Sequence, residues 1–152
     1  VFGLDNGYDR LLQMIDALAD TQLSVAPHII LGFHGNDVSR EIDGLSILRP
    51  LNIHTLVVLQ FMPLPGTPMA RNITASDTAV ADFIRAVRRG FPKTEAALGC
   101  ARQRPNPTLE IMALHAGVRR IALPHDDTLS EAAHMGFAIR HYPLCCTMDT
   151  DD

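Results

Sequence analysis

Apolar runs alternate with helical stripes along almost the whole sequence. The runs at 28–33 and 54–59 carry little polar alternation, which is typical of strands buried on both faces of a parallel sheet. Between them, Val38, Ile42 and Leu45 recur at helical spacing. Such a change of period indicates βαβ units. The residues therefore predict an α/β chain of parallel strands and alternating helices, either a portion of a barrel or a doubly wound sheet.

Caps and chain breakers set the expected boundaries of these elements. A capping box, Thr128 with Glu131, is expected to open the last helix, which ends before Gly136. The predicted helices cover about 7–19, 38–48, 76–90, 107–117 and 128–135, and the predicted strands 1–4, 28–33, 54–59, 95–99, 119–123 and 137–141.

Length, charge and cysteine content bound the class of protein. The 152 residues are 47% hydrophobic, enough for a single α/β domain over 1–152. The net charge of −4 argues against a nucleic-acid partner, and no apolar run reaches the roughly 18 residues of a membrane span. Three cysteines, two of them adjacent, do not form a secreted disulfide pattern, so a cytoplasmic location is expected. Val1 is expected to lie within a strand, as in the later part of a longer protein.

The residues after each strand define a candidate site, because ligands of parallel sheets bind at the carboxyl ends of the strands. All three cysteines fall at this predicted edge, and Arg102 follows the first of them closely. Two interpretations are open for the thiols: small buried hydrophobes, or ligands of a soft metal or an iron–sulfur cluster. The residues at this edge are His34, Gln60, Cys100, Arg102, His125, Cys145 and Cys146.

The loop at 63–68 carries a weaker signal. Gly66 lies among prolines and is followed by Thr67, so the backbone either approaches a small cofactor closely or simply forms a rigid turn. His34 and His125 are expected to anchor loops rather than to act chemically. No Walker, G-x-G-x-x-G, H-E-x-x-H, C-x-x-C or nucleophile-elbow motif is present, so the corresponding enzyme classes lack support.

Several segments in order resemble the C-terminal half of radical S-adenosylmethionine enzymes, especially the biotin synthase-like group and the subunits of bipartite lipoyl synthases. The resemblance covers nearly the whole chain. In one departure, the usual proline after Arg102 is displaced to Pro105 by Gln103 and Arg104. The segments that carry the resemblance are 27–32 with Glu41, 63–68, 98–102, 116–118, 121–124 and the Cys145–Cys146 pair.

The resemblance implies a partial (β/α) barrel that generates a deoxyadenosyl radical for C–H activation. It implies S-adenosylmethionine as cofactor, bound against Ile30, Gly32, Gly66 and Thr67. It also implies a 4Fe–4S cluster held by a C-x-x-x-C-x-x-C loop, a motif that these 152 residues do not contain. The main cluster ligands are therefore expected outside this chain, which alone should be inactive.

The leading hypothesis is sulfur insertion in lipoate- or biotin-type cofactor synthesis by the full-length enzyme, with a second radical S-adenosylmethionine subunit as a possible partner. Arg102 would bind substrate, and the thiols of Cys100, Cys145 and Cys146 would hold an auxiliary iron–sulfur cluster that donates sulfur. Two alternatives remain: a non-catalytic α/β binding or scaffold domain, and an aldolase-like or phosphate-binding barrel fragment that uses Arg102 and loop amides.

Overall fold

Four parallel strands in sequential order form the centre of the computed structural model, which describes residues 5–148. The predicted strand at 1–4 and the acidic tail of Asp149, Asp151 and Asp152 lie outside the described residues. The elements in chain order are α1 Gly7–Ala19, β1 His28–Leu31, α2 Ser39–Gly44, a 3₁₀ turn Leu45–Leu48, β2 Thr55–Gln60, α3 Asp77–Gly90, β3 Glu95–Leu98, α4 Pro107–His115, β4 Arg120–Ile121 and α5 Asp126–His134.

The strand order is β1-β2-β3-β4, and every pairing is parallel. His28 pairs with Val57, and Val57 in turn pairs with Ala97, so these residues share one face of the sheet. Each crossover carries helical structure, as is usual where parallel strands are joined in βαβ units. The coarse prediction of parallel strands alternating with helices is thus confirmed.

The hydrophobic core lies between one face of the sheet and the helices. The sheet contributes fully buried residues such as Leu31, Leu56 and Leu98, and α3 contributes Phe83 and Ile84. Helix α3 packs against α2 and α4, and α4 packs against α5, so the helices form one continuous layer. The opposite face, which carries Ile30, is partly open, with that side chain 36% exposed.

Three local predictions differ from the structure. The segment predicted as a strand at 137–141 forms no strand, and the helix expected over 38–48 changes to a 3₁₀ turn at Leu45. The capping box is wrong as well, because His125 is the N-cap of α5 and its Nδ1 accepts a hydrogen bond from the Asp127 amide. Thr128 instead lies inside the helix, where its hydroxyl donates to Glu110.

Within residues 5–148, no helix is both long enough and apolar enough to cross a bilayer.

Candidate functional site

The last described segment, 137–148, returns alongside β4 and lies against the arginines at the start of that strand. The Arg119 guanidinium lies 4.7 Å from the centre of the Phe137 ring, in cation–π geometry. Arg120 pairs with the Glu95 carboxylate and donates to the Met148 carbonyl oxygen at 2.6 Å. The segment is therefore fastened at both of its ends.

A cavity of about 690 Å³ lies between this segment, the ends of β3 and β4, and helix α5. Cys100, Cys145 and Cys146 all line it, although they are far apart in sequence. The strand that was expected to deliver the last two does not form, and it is the returning segment that carries them to the cavity. The convergence of the thiols thus has a different structural basis from the one predicted.

The three thiols occupy different environments. All are free, Cys100 and Cys145 are exposed, and Cys146 is half-buried. The Thr147 hydroxyl donates to Cys145 Sγ at 3.4 Å, and this hydrogen bond helps to hold the pKa of the Cys145 thiol below its usual value. Burial raises the pKa of Cys146, and the nearby Cys145 and Cys100 raise it further. The pair thus offers one thiol that ionises easily beside one that does not.

No three His, Cys, Asp or Glu side chains within residues 5–148 are grouped closely enough to hold a metal ion as they stand. The three thiols nevertheless share one cavity, and Cys100 is near enough to Cys146 to influence its pKa. Ligation of one group by all three would require the returning segment or its side chains to move inward.

Arg102 has a different role from the one expected of it. Its side chain is 0% exposed and forms an ion pair with Glu110, Nη2 to Oε1, at 2.6 Å. The guanidinium also donates to the carbonyl oxygens of Gly99, Ala122 and Leu123. Such a side chain offers no surface to a substrate, so we reassign Arg102 from substrate binding to positioning the loops after β3 and β4.

Glu110 completes this arrangement and was missed by sequence reasoning. Its Oε2 accepts hydrogen bonds from the His125 amide and the Thr128 hydroxyl, both at 2.7 Å. Burial acts to raise the pKa of Glu110, but the hydrogen bonds from His125, Arg102 and Thr128 outweigh it and hold the pKa below its usual value. The available signal was that Glu110 is the only Asp, Glu, Lys or Arg in helix α4, most of whose other residues are apolar.

Two of the residues assigned to cofactor binding lie at the end of β1. Ile30 is 36% exposed on the face of the sheet opposite to the helices, where a ligand could contact it. Gly32 is buried with a φ of +106°, and a Cβ there would lie 2.6 Å from the Ala75 amide nitrogen. Gly32 therefore allows residues 74–75 to approach the end of β1. These residues occupy the space beside Gly32 that a ligand would need.

The other two lie in the loop after β2. Gly66 has a φ of +80° and open space around its Cα, whereas the Thr67 hydroxyl donates to the Leu64 carbonyl oxygen at 2.8 Å. This hydrogen bond closes a rigid turn and leaves Gly66 accessible. The turn lies close in sequence to a second cavity of about 620 Å³, lined by Met62, Pro63, Leu64, Gln103, Arg104, Pro105 and Asn106.

The remaining polar residues of the edge mainly hold loops. Gln60 is buried, donates to the Ala75 carbonyl oxygen and accepts from the Gln103 amide. His125 caps α5, as its expected anchoring role requires, and His34 is exposed.

Comparisons with known proteins add no identification. No protein-family model matches the chain, and no curated protein matches it.

Proposed function

We propose that this chain is the C-terminal part of a radical S-adenosylmethionine enzyme that activates a C–H bond, for sulfur insertion in lipoate- or biotin-type cofactor synthesis. The observation that supports this best is the shared cavity of Cys100, Cys145 and Cys146, which runs along β3 and β4 of a parallel sheet and reaches their carboxyl ends. Thiolates are the standard protein ligands of iron–sulfur clusters. Ligand sites of parallel α/β folds lie at this same edge.

The sheet supports a partial barrel. Its strands follow one another in sequential order, and consecutive helices pack side by side in one layer. A (β/α) barrel is built in the same way, with helices outside and the other face of the sheet inside. In the proposed enzyme, Ile30 lies on the inner face of the barrel wall, toward the cofactor.

The donor chemistry suits an auxiliary iron–sulfur cluster, which the three thiols would hold once the returning segment moves inward. Three thiols are available, and the hydrogen bond from Thr147 favours the thiolate of Cys145, the form that binds iron. Such a cluster would supply sulfur for insertion into substrate. The buried Arg102–Glu110 pair holds Cys100 indirectly, because Arg102 donates to the carbonyl oxygen of the preceding Gly99.

The residues fit S-adenosylmethionine in part. Ile30 and Gly66 offer accessible surface, whereas Gly32 packs against Ala75 and the Thr67 hydroxyl is bonded within its own turn. When bound to the main 4Fe–4S cluster, this cofactor would supply the deoxyadenosyl radical. The cluster ligands belong to polypeptide outside these 152 residues, in the same protein or in a second radical S-adenosylmethionine subunit. Free thiols that bind a cluster must stay reduced, and the cytoplasm is the compartment that keeps thiols reduced.

The alternatives differ in their support. A phosphate-binding or aldolase-like fragment relied on Arg102, whose guanidinium is buried and engaged. A non-catalytic binding domain keeps the cavity but needs no cluster, and the test below separates it from the enzyme.

The test is to combine this chain with the polypeptide that carries the cluster loop, express both without oxygen, and assay deoxyadenosine and thiolated product. We expect deoxyadenosine only from the combination and none from this chain alone. With Cys145→Ala/Cys146→Ala, deoxyadenosine should persist, whereas thiolated product should fall at least tenfold. The proposal fails if the combination forms no deoxyadenosine, or if the double variant thiolates substrate normally.

A further inference from the structure

Four cationic side chains lie at the edge of the sheet where the strands begin, whereas Cys100 follows the end of β3. Arg88 and Arg89 belong to the last turn of α3, Lys93 lies in the turn that leads to β3, and Arg119 directly precedes β4. Because a crossover helix runs antiparallel to the strands it joins, the end of α3 meets the beginnings of β3 and β4 at this edge. Together the four residues form the amino-edge patch.

Arg88 connects the segments that carry the patch. Its Nη1 donates to the carbonyl oxygen of Thr94, just before β3, at 3.4 Å, and its side chain is half-buried. A Cβ at Gly117 would lie only 3.3 Å from Arg88 Nε, so this glycine makes room for the arginine. The end of α3, the start of β3 and the turn before β4 are therefore joined through one side chain, and the patch is a continuous surface.

No cation of the patch pairs with a carboxylate among residues 5–148. Two acidic side chains that are close in sequence are already engaged. Asp82 on α3 pairs with Arg85, and Glu95 at the start of β3 pairs with Arg120. In a chain whose net charge is −4, four neighbouring cations without counter-charges repel one another, and an anionic partner would remove that repulsion.

The shape and chemistry of the patch favour a protein as this partner. Neither of the two cavities described above is lined by Arg88, Arg89 or Lys93, which indicates an outer surface rather than a pocket for a small anion. Arginines predominate in the patch, and they bind carboxylates through paired hydrogen bonds and are enriched in protein interfaces. The negative charge of the whole chain would repel a nucleic acid that extends beyond the patch.

We infer that the amino-edge patch docks an acidic segment of a partner protein, whose carboxylates bind Arg89, Lys93 and Arg119. Arg88 is a positioning residue that holds the underlying segments together. This inference goes beyond the proposed function and does not depend on it, since docking requires neither a cluster nor S-adenosylmethionine. It can therefore be tested on the metal-free chain.

The probe is a fluorescein-labelled octaglutamate peptide, and its binding to the chain is followed by fluorescence anisotropy. We expect saturable binding at low salt that weakens by about tenfold when NaCl at about 0.3 M screens the charges. Arg89→Gln/Lys93→Gln should weaken binding by about fivefold, as the loss of two exposed ion pairs predicts. Both side chains are exposed, so the far-ultraviolet circular dichroism should not change. A lack of saturable binding would overturn the inference.

Arg71→Gln/Arg104→Gln is the matched control. It changes the net charge equally, but its two exposed arginines lie in the loops after β2 and β3, at the other end of the strands. It should leave binding within about twofold of the wild-type value. Equal weakening in the two double variants would contradict the inference, because the peptide would then sense only the net charge of the chain.

Two other occupants of the patch are separated by the same assay. An octathymidylate of similar charge should bind more weakly than the peptide, and equal or tighter binding would overturn the assignment to a protein. The acidic tail, Asp149, Asp151 and Asp152, is tested with a chain that ends at Met148. That chain should bind the peptide as the full chain does, whereas a gain of about tenfold would identify the tail as the occupant and contradict the inference.

Discussion

At the residue scale, the Arg102–Glu110 ion pair connects three segments of the cavity wall. Glu110→Gln would leave the Arg102 guanidinium, whose side chain is 0% exposed, buried without its counter-charge. We expect a loss of about 3–5 kcal/mol in the free energy of unfolding, measured in urea. Asp82→Asn is the control, because it breaks the exposed pair with Arg85 and should cost under about 1 kcal/mol. Equal losses would contradict the positioning role.

The same pair predicts a pH dependence. The folded state holds the pKa of Glu110 below its usual value, so the unfolded chain binds a proton there more readily. The stability from Glu110 is therefore fully present above the ordinary carboxyl pKa and is lost as the pH falls through the folded value. Urea unfolding across the acid range should show a smaller pH-dependent loss in Glu110→Gln than in the wild-type chain. A parallel decline would contradict this assignment.

Gly32 and Gly66 form a second matched pair at this scale. Both have positive φ, but a Cβ at Gly32 would lie 2.6 Å from the backbone nitrogen of Ala75, whereas a Cβ at Gly66 would meet no atom beyond its chain neighbours within 4 Å. Alanine at either position should cost about 1 kcal/mol through backbone strain. Gly32→Ala should lose about 1–3 kcal/mol more, because the backbone at 74–75 must shift. Equal unfolding free energies would show that this close approach is absent.

At the element scale, Arg120 holds the returning segment 137–148 in place, and Cys146 is half-buried in that segment. Arg120→Gln removes the ion pair with Glu95 and weakens the hydrogen bond to the Met148 carbonyl. We expect alkylation of the half-buried Cys146 and proteolysis within this segment to accelerate several-fold, with the far-ultraviolet circular dichroism unchanged. The control is Arg85→Gln, which breaks an ion pair on α3. Identical alkylation rates in the two variants would contradict the fastening role of Arg120.

Most elements were predictable because their local signals agree with their burial. The apolar run at 28–33 and the helical pattern at 76–90 predict β1 and α3, and the structure adds that Ser76 Oγ caps α3 by accepting from the Ala79 amide. The segment 137–141 also has a strand-like composition, but it pairs with no neighbour, and pairing partners cannot be read from local sequence. The candidate site was predicted from the residues that follow each strand, and three of those residues, Cys100, Cys145 and Cys146, do line one cavity. The burial of Arg102 was not predicted, because its partner lies on another element.

At the scale of the whole molecule, topology brings the candidate chemistry together. Sequential parallel strands place their carboxyl ends at one edge, and the returning segment adds Cys145 and Cys146 to the cavity beside Cys100. Arg102 and Glu110 then hold the loops that form its wall. The parallel sheet thus brings a sulfur-rich cavity to the ends of strands, where α/β enzymes bind their ligands.

We propose that the thiols of Cys100, Cys145 and Cys146 form one iron–sulfur site. The most direct measurement of this site is the amount of iron and sulfide bound per chain after anaerobic reconstitution and gel filtration. Chain whose thiols were alkylated before reconstitution defines the zero level. We expect the wild-type chain to retain both elements in equal amounts, and both to fall to the zero level in Cys145→Ala/Cys146→Ala and markedly in Cys100→Ala. Iron and sulfide contents that are unchanged in these variants would contradict the claim.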